Sequence, residues 1–273
     1  MSAHAPTDSY EGGQGPPLVL LHGIGGSWRI WRPVIPMLER RHRIYAPTLP
    51  GHLGGEPWPW DSEATVYGIV DKLAEDFAQR GIDRPHVVGN SLGGWIALEL
   101  ARRNIPASVT ALSPAGAWRN DRHYQAVARP FRIAHALMPL LIPLLRPLLG
   151  IAAVRRSLNA QAMEHGDRVP RDEMLHAMRS LGGTRILPQL LATMGRKGPI
   201  KPLVGIHCPI TIAWGEHDKV IPFETYGAPM LAAAPGAVAA TLAGCGHVPM
   251  YGAPEMVAAL ILTITSTVRG EPI

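Results

Sequence analysis

Ser91 stands in Gly89-Asn90-Ser91-Leu92-Gly93-Gly94, after a short apolar run (His86 to Val88) and before a helical one (Leu92 to Arg102). A sharp strand-to-helix turn brings two backbones together at the places Gly89 and Gly93 occupy, where a Cβ would clash. It lifts a serine hydroxyl to the mouth of a sheet and sets the first N–H groups of the helix beside it. The same five-residue pattern also fits an ordinary glycine-rich turn with a solvated serine. A hydroxyl is a poor nucleophile until a base takes its proton, so the partners decide.

Twelve histidines are candidates for that base. His4, His123, His165 and His176 fall in polar or helical stretches and are expected at the surface, while His135 lies among apolar residues and is expected to be packed. His247 differs. It sits in Gly244-Cys-Gly-His-Val-Pro249, just after the last apolar run, and a loop there reaches the carboxyl edge of a parallel sheet, the edge Ser91 occupies. An imidazole base needs a carboxylate to hold its tautomer and stabilise the imidazolium. Asp218, in Trp214-Gly-Glu-His-Asp-Lys-Val-Ile-Pro222, follows the preceding strand and reaches the same edge. Glu216 is the local rival, and His217 beside it is expected to be exposed.

These side chains need a frame. Apolar runs at 17–22, 43–47, 86–88, 108–112, 209–214 and 237–242 read as strands buried on both faces. Thr65 to Arg80 has helical spacing, with Val66, Ile69, Val70, Leu73 and Phe77 on one side and Gly81 as a stop. Pro254 to Thr263 reads as a closing helix. Strands alternating with helices mean an α/β fold with a parallel sheet covered on both faces. About 95 residues separate Pro114 from Pro209, far more than a crossover requires. The expected organisation is a core of residues 1–117 and 198–273 with a helical insertion at 118–197.

The order Ser91, Asp218, His247 and four separated motifs carry a family resemblance: HGIGG at 22–26, GNSLGG at 89–94, GEHDKVIP at 215–222 and GCGHVP at 244–249. The chain resembles the α/β-hydrolase superfamily, in its capped serine-hydrolase branch of esterases, lipases and C–C bond hydrolases. The resemblance implies Ser91 as nucleophile, His247 as base and Asp218 as its orienting carboxylate. It also implies an oxyanion hole made by the N–H groups of Ile24 and Leu92. His22 is expected to order the loop rather than to move protons. Family members usually carry two further antiparallel strands before the HG motif. Only 21 residues precede His22, so a sheet shortened at that edge, to about six strands, is expected. The activity implied is cleavage of carboxylic esters with apolar acyl or aryl groups. Hydrolysis of an activated C–C bond, a lactone or a thioester is the alternative. Haloalkane dehalogenase and epoxide hydrolase chemistry would need an acidic nucleophile, which Ser91 is not.

No cofactor is implied. Cys208 and Cys245 make neither metal-ligand nor CxxC spacing, so free thiols and no metal site are expected. The net charge is +5, but residues 118–197 hold 12 arginines and one lysine against five acidic residues. The basic insertion thus sits in a slightly acidic frame. It has no RRM, zinc-finger or homeodomain signature, and no nucleic-acid partner is expected. The lead-in MSAHAPTDSYEGGQGPP lacks an apolar core and reads as polar and flexible, which points to a cytoplasmic protein.

The greasiest stretch is Pro139-Leu-Leu-Ile-Pro-Leu-Leu-Arg-Pro-Leu-Leu-Gly150. His135, Arg146 and three prolines argue against a membrane span over 133–154. Prolines at 139, 143 and 147 are expected to split it into short helical pieces. Leu144 and Leu148, with Val248, are then expected to wall a slot above Ser91, and arginines on the rim are suited to contact with an anionic membrane surface.

Overall fold

Four residues of the polar lead-in, Ser9–Gly12, already form a strand (β1) in the computed structural model, which describes residues 8–269. It is followed by β2 (Pro17–Leu21), α1 (Ile35–Leu38), β3 (Arg43–Pro47), α2 (Val66–Gln79), β4 (His86–Asn90), α3 (Leu92–Arg102) and β5 (Ser108–Leu112). Next come α4 (Asp121–Leu145), α5 (Ala152–Asn159), α6 (Arg171–Gly183) and α7 (Leu187–Lys197). The chain closes with β6 (Ile210–Gly215), α8 (Phe223–Ala233), β7 (Val238–Leu242) and α9 (Pro254–Arg269).

Among the described residues the sheet has seven strands in the order β1-β3-β2-β4-β5-β6-β7. All neighbours are parallel except β1, which runs antiparallel to β3 with Tyr10 opposite Ala46. The expected count of six is corrected to seven. The reason is that Ser-Tyr-Glu-Gly offers one apolar residue and no visible alternation, yet the free edge of β3 supplies a ladder and Tyr10 packs on the Trp28 ring, 5.6 Å between centroids.

Strand alternation divides the core in two. Leu18 and Leu20 of β2 join α1 and α9 on one face, whereas Val19 and Leu21 join α2, α3 and α8 on the other. Helix α2 shows why such segments are helical. Thr65 caps it, accepting from Gly68 N–H at 2.9 Å, and its buried stripe is the expected Val66, Ile69, Val70, Leu73 and Phe77. Each of these side chains contributes about 1.5–3 kcal/mol of burial.

Helix α4 contradicts the expected breakage. It runs 25 residues through Pro130, Pro139 and Pro143, and Pro147 is the second residue of the 3-10 turn Arg146–Gly150 that follows it. Pro139 and Pro143, four apart, place their missing N–H groups in one column, and Pro130 lies about half a turn round from Pro139. All three positions are exposed, where water meets the groups that lose their helix bonds. The remaining bonds carry the helix, and Arg146 N–H still reaches Ile142 O. By length and composition, Asp121–Gly150 is enough to cross a membrane. Here, however, one side of α4 packs in the protein: Tyr124 and Ala128 are buried, and Met138, Ile142 and Leu145 sit on the cluster formed with α6.

Candidate active site

Three loops converge at the carboxyl edge of the sheet. Strands β2 and β4 are neighbours, with Leu21 opposite Gly89, so the loop at 22–26 and the turn at Ser91 meet where strand order reverses. Ser91 has φ 57° and ψ −116°, outside the ordinary regions for a side-chain-bearing residue. Its neighbours show why glycine is required. A Cβ on Gly89 would lie 2.0 Å from Gly93 O, and one on Gly93 would lie 2.3 Å from Leu21 O. A Cβ on Gly23 would lie 3.3 Å from Ser91 Cβ, so the HGIGG loop faces the serine directly.

Asp218 and His247 form a buried pair. His247 Nδ1 lies 2.7 Å from Asp218 Oδ2, and their side chains are 4% and 0% exposed. The second oxygen, Oδ1, accepts from the N–H groups of Val220 and Ile221, each at 2.9 Å. The carboxylate is thereby fixed at both ends, and Nδ1 carries the proton it donates. His247 Nε2 is left with its lone pair, buried and making no hydrogen bond among the described residues, the one to Ser91 Oγ included. In unliganded hydrolytic sites this contact commonly closes only when substrate arrives. The rival Glu216 is 53% exposed and accepts from Gly244 N–H at 2.7 Å, bracing the histidine loop from outside.

Asn90 was not singled out from sequence as a site residue. Its buried amide donates to His247 O at 2.9 Å and to Leu112 O at 3.2 Å, tying the serine turn to the histidine loop. Leu92 is the first residue of α3, so its N–H belongs to the helix's unpaired first turn beside Ser91. Ile24 sits on the facing loop, partly buried against the main core.

His22 is wholly buried. Its Nε2 accepts from Leu49 N–H at 2.8 Å, so the ring proton is on Nδ1 and is donated to Gly23 O at 2.7 Å. Protonation would set a second donor against Leu49 N–H. Burial, and then the neighbouring His52 ring 5.0 Å away, hold the His22 pKa well below the usual value. Burial likewise lowers His52 to about 4. On acidification the unfolded chain takes up these protons first, so stability should fall from about pH 6.5 down to about pH 4, by about 3 kcal/mol for His52. Melting curves at pH 7.5 and 5 should show the drop. His52→Asn should reduce the difference by roughly 4 °C, and an unchanged difference would mean that other groups carry it.

The helices between β5 and β6 lie against this edge. Ser27 Oγ is 2.8 Å from His176 Nε2, Ser180 Oγ donates to Gly26 O at 2.8 Å, and Arg29 makes two hydrogen bonds to Glu173 at 3.0 and 2.9 Å. Arg32 also pairs with Glu173. Burial alone would raise the Glu173 pKa, but the two guanidinium groups outweigh it and hold it below the ordinary value. His176, expected at the surface, is half-buried in this network. His135 is packed as expected, with Nδ1 donating to Leu181 O at 2.8 Å.

The residues expected to wall the slot are placed differently. Leu144 and Leu148 are 68% and 43% exposed. The helix period turns Met138, Ile142 and Leu145 toward α6 and so points the 140/144/148 side outward. Val248 packs with the α1/α9 cluster, and its N–H bonds Ala162 O at 2.9 Å. The apolar groups beside the HGIGG loop are instead Leu181 and Leu187, whose methyls would lie 2.6 and 3.5 Å from a Cβ on Gly25. Both cysteines are free thiols. Among the described residues no cluster of His, Cys, Asp or Glu could hold a metal ion.

Residues 18–260 match the family model described as the alpha/beta hydrolase family, and the chain belongs to that family. Among its relatives is epoxide hydrolase EphH of Mycobacterium tuberculosis, 29% identical over 204 residues that cover 71% of this chain and 91% of that one. Two solved structures share the fold. An esterase from Thermogutta terrifontis superposes with a TM-score of 0.74 at 20% identity, over 95% of this chain and 93% of that one. The 2-hydroxy-6-oxo-6-phenylhexa-2,4-dienoate hydrolase of Rhodococcus sp. strain RHA1 also gives 0.74 at 20% identity, over 94% and 93%.

Proposed function

We propose that the chain is a carboxylic-ester hydrolase working through an acyl-enzyme. Ser91 Oγ attacks the acyl carbon while His247 Nε2 takes its proton and passes it to the leaving alcohol. The same nitrogen then activates water for deacylation. Asp218 holds the imidazole. The N–H groups of Ile24 and Leu92 receive the oxyanion, each worth roughly 10²–10³ in rate. The observation that carries the reading is the buried Asp218–His247 pair, with Nε2 unbonded and the strained turn of Ser91 at the same edge. Leu181 and Leu187 beside the HGIGG loop favour an apolar acyl or aryl group. Epoxide opening through an alkyl-enzyme ester would need a carboxylate at the turn, where this chain has a hydroxyl.

A series of p-nitrophenyl esters from acetate to medium chains, run beside a vinylogous diketone, tests the proposal. Esters should turn over, with kcat/KM rising toward apolar acyl groups, and the diketone should persist. Diketone cleavage without ester turnover would replace this reading with C–C bond hydrolysis.

A further inference from the structure

Among the described residues none covers the outer side of α4. Arg122, Ala126, Arg129, Ile133, Leu137, Leu140 and Leu144 follow one another at steps of three or four and are all exposed, so they form a single stripe along the helix. Ile133, Leu137, Leu140 and Leu144 are 49%, 45%, 69% and 68% exposed, and Leu148 and Ile151 continue the row at 43% and 53%. Together they present on the order of several hundred Å² of contiguous apolar surface, as much as a whole monomer usually shows in its largest patch. The charge along this segment has one sign. Residues 122–163 contain six arginines and no acidic residue or lysine. Arg156 is paired with Asp167, and Arg155 bonds the carbonyls of Leu149, Gly150 and Asp167, whereas Arg122, Arg129 and Arg146 are exposed.

We propose that this side of α4, with the turn that follows it, docks on an anionic phospholipid bilayer, lying in the interfacial plane. The charge pattern selects that occupant. Pairing two copies of the stripe would set arginines against arginines or against leucines, with no carboxylate to receive them. A bilayer with anionic headgroups offers both halves of the match: phosphates for the guanidinium groups and hydrocarbon for leucines that penetrate about 5–10 Å. Lying in the plane fits the rest of α4, whose opposite side is held by α6 through Met138, Ile142 and Leu145. The docked face would also stand two helix layers from Ser91, since α6 packs on α4 and places Leu181 against the HGIGG loop.

The test is flotation of the full chain with vesicles of phosphatidylcholine alone or with about 30% phosphatidylglycerol, at ~0.1 M and ~0.5 M salt. No turnover is read, so the result is independent of the ester-hydrolase reading. Binding should be at least tenfold tighter to the anionic vesicles and should weaken severalfold at high salt. Ile133→Asp with Leu140→Asp should reduce it more than tenfold, and Arg122→Gln with Arg129→Gln should remove most of the salt dependence. Val204→Asp, at an exposed apolar position outside α4 and the turn that follows it (73% exposed), should bind as wild type. All four replaced residues on α4 are exposed, and circular dichroism with a melt verifies that the variants fold. The proposal is overturned by an absence of binding to both vesicles, or by paired variants that bind as wild type. It is equally overturned by a dimer that the Ile133/Leu140 variant splits, or by binding to random duplex DNA as tight as to the anionic vesicles.

Discussion

Replacing Ser91 by alanine is expected to lower ester turnover at least ~10⁴-fold while leaving the melting temperature nearly unchanged. The two halves of that expectation have separate causes. The hydroxyl makes no capping hydrogen bond to α3, so its removal orphans no buried partner, and alanine tolerates φ 57° about as well as serine does. Attack on the acyl carbon, by contrast, has no substitute once Oγ is gone. The residue of activity over water would come from the donors at Ile24 and Leu92 and from binding. Steady-state kinetics on a p-nitrophenyl ester gives the first number and calorimetry the second. A serine-directed phosphonate should label wild type at Ser91 alone, read by peptide mass spectrometry. A folded variant retaining more than about a hundredth of the wild-type rate would point to another nucleophile.

The second large effect separates two carboxylates only two residues apart. Asp218→Asn is expected to cost at least ~10³-fold in kcat. An amide in that place accepts poorly from Nδ1–H and favours the tautomer with its proton on Nε2, where the lone pair is needed. Glu216→Gln should cost less than about threefold, since Glu216 braces Gly244 N–H from solvent and an amide oxygen can do the same. Combining Asp218→Asn with Ser91→Ala should add little to Ser91→Ala alone, because groups that act as one unit are not additive. The reverse ranking of the two acids would move the orienting role to Glu216.

What could be read from the sequence follows from how local each constraint is. Gly89 marks the serine turn because the clash it avoids, with Gly93 O, lies within five residues of chain, whereas Gly93 answers to Leu21 O on the neighbouring strand. Asp218 and His247 are legible because each follows an apolar run that ends at one edge of a parallel sheet. Strand β1 is invisible to such reading: Tyr10 is its one large apolar residue, and its ladder is supplied by β3, more than 30 residues away. In α4 the proline rule is right for each residue taken singly and fails for the set, because Pro130, Pro139 and Pro143 all stand at exposed positions, where water meets the groups that lose their helix bonds. The outward turn of Leu144 and Leu148 follows from the same helix. Asn90 lies within GNSLGG, yet its tie to the histidine loop, like the contacts of Glu173, His176 and Ser180, has no local signature, since the partners are brought together by tertiary packing.

Those last contacts bear on how this scaffold could be re-engineered. Ser27, Gly26 and Arg29 on the core side borrow their partners from one stretch of α6, at Glu173, His176 and Ser180. A chimaera that exchanged residues 118–197 wholesale for a foreign segment would leave the half-buried Arg29 guanidinium and the Gly26 carbonyl of the HGIGG loop stranded, whatever pocket the graft brought with it. Substitutions confined to the exposed stripe of α4 carry no such debt. The segment is therefore modular on its outward side and welded on its inward one, and any library aimed at new substrates should hold α6 constant as the hinge of the transplant.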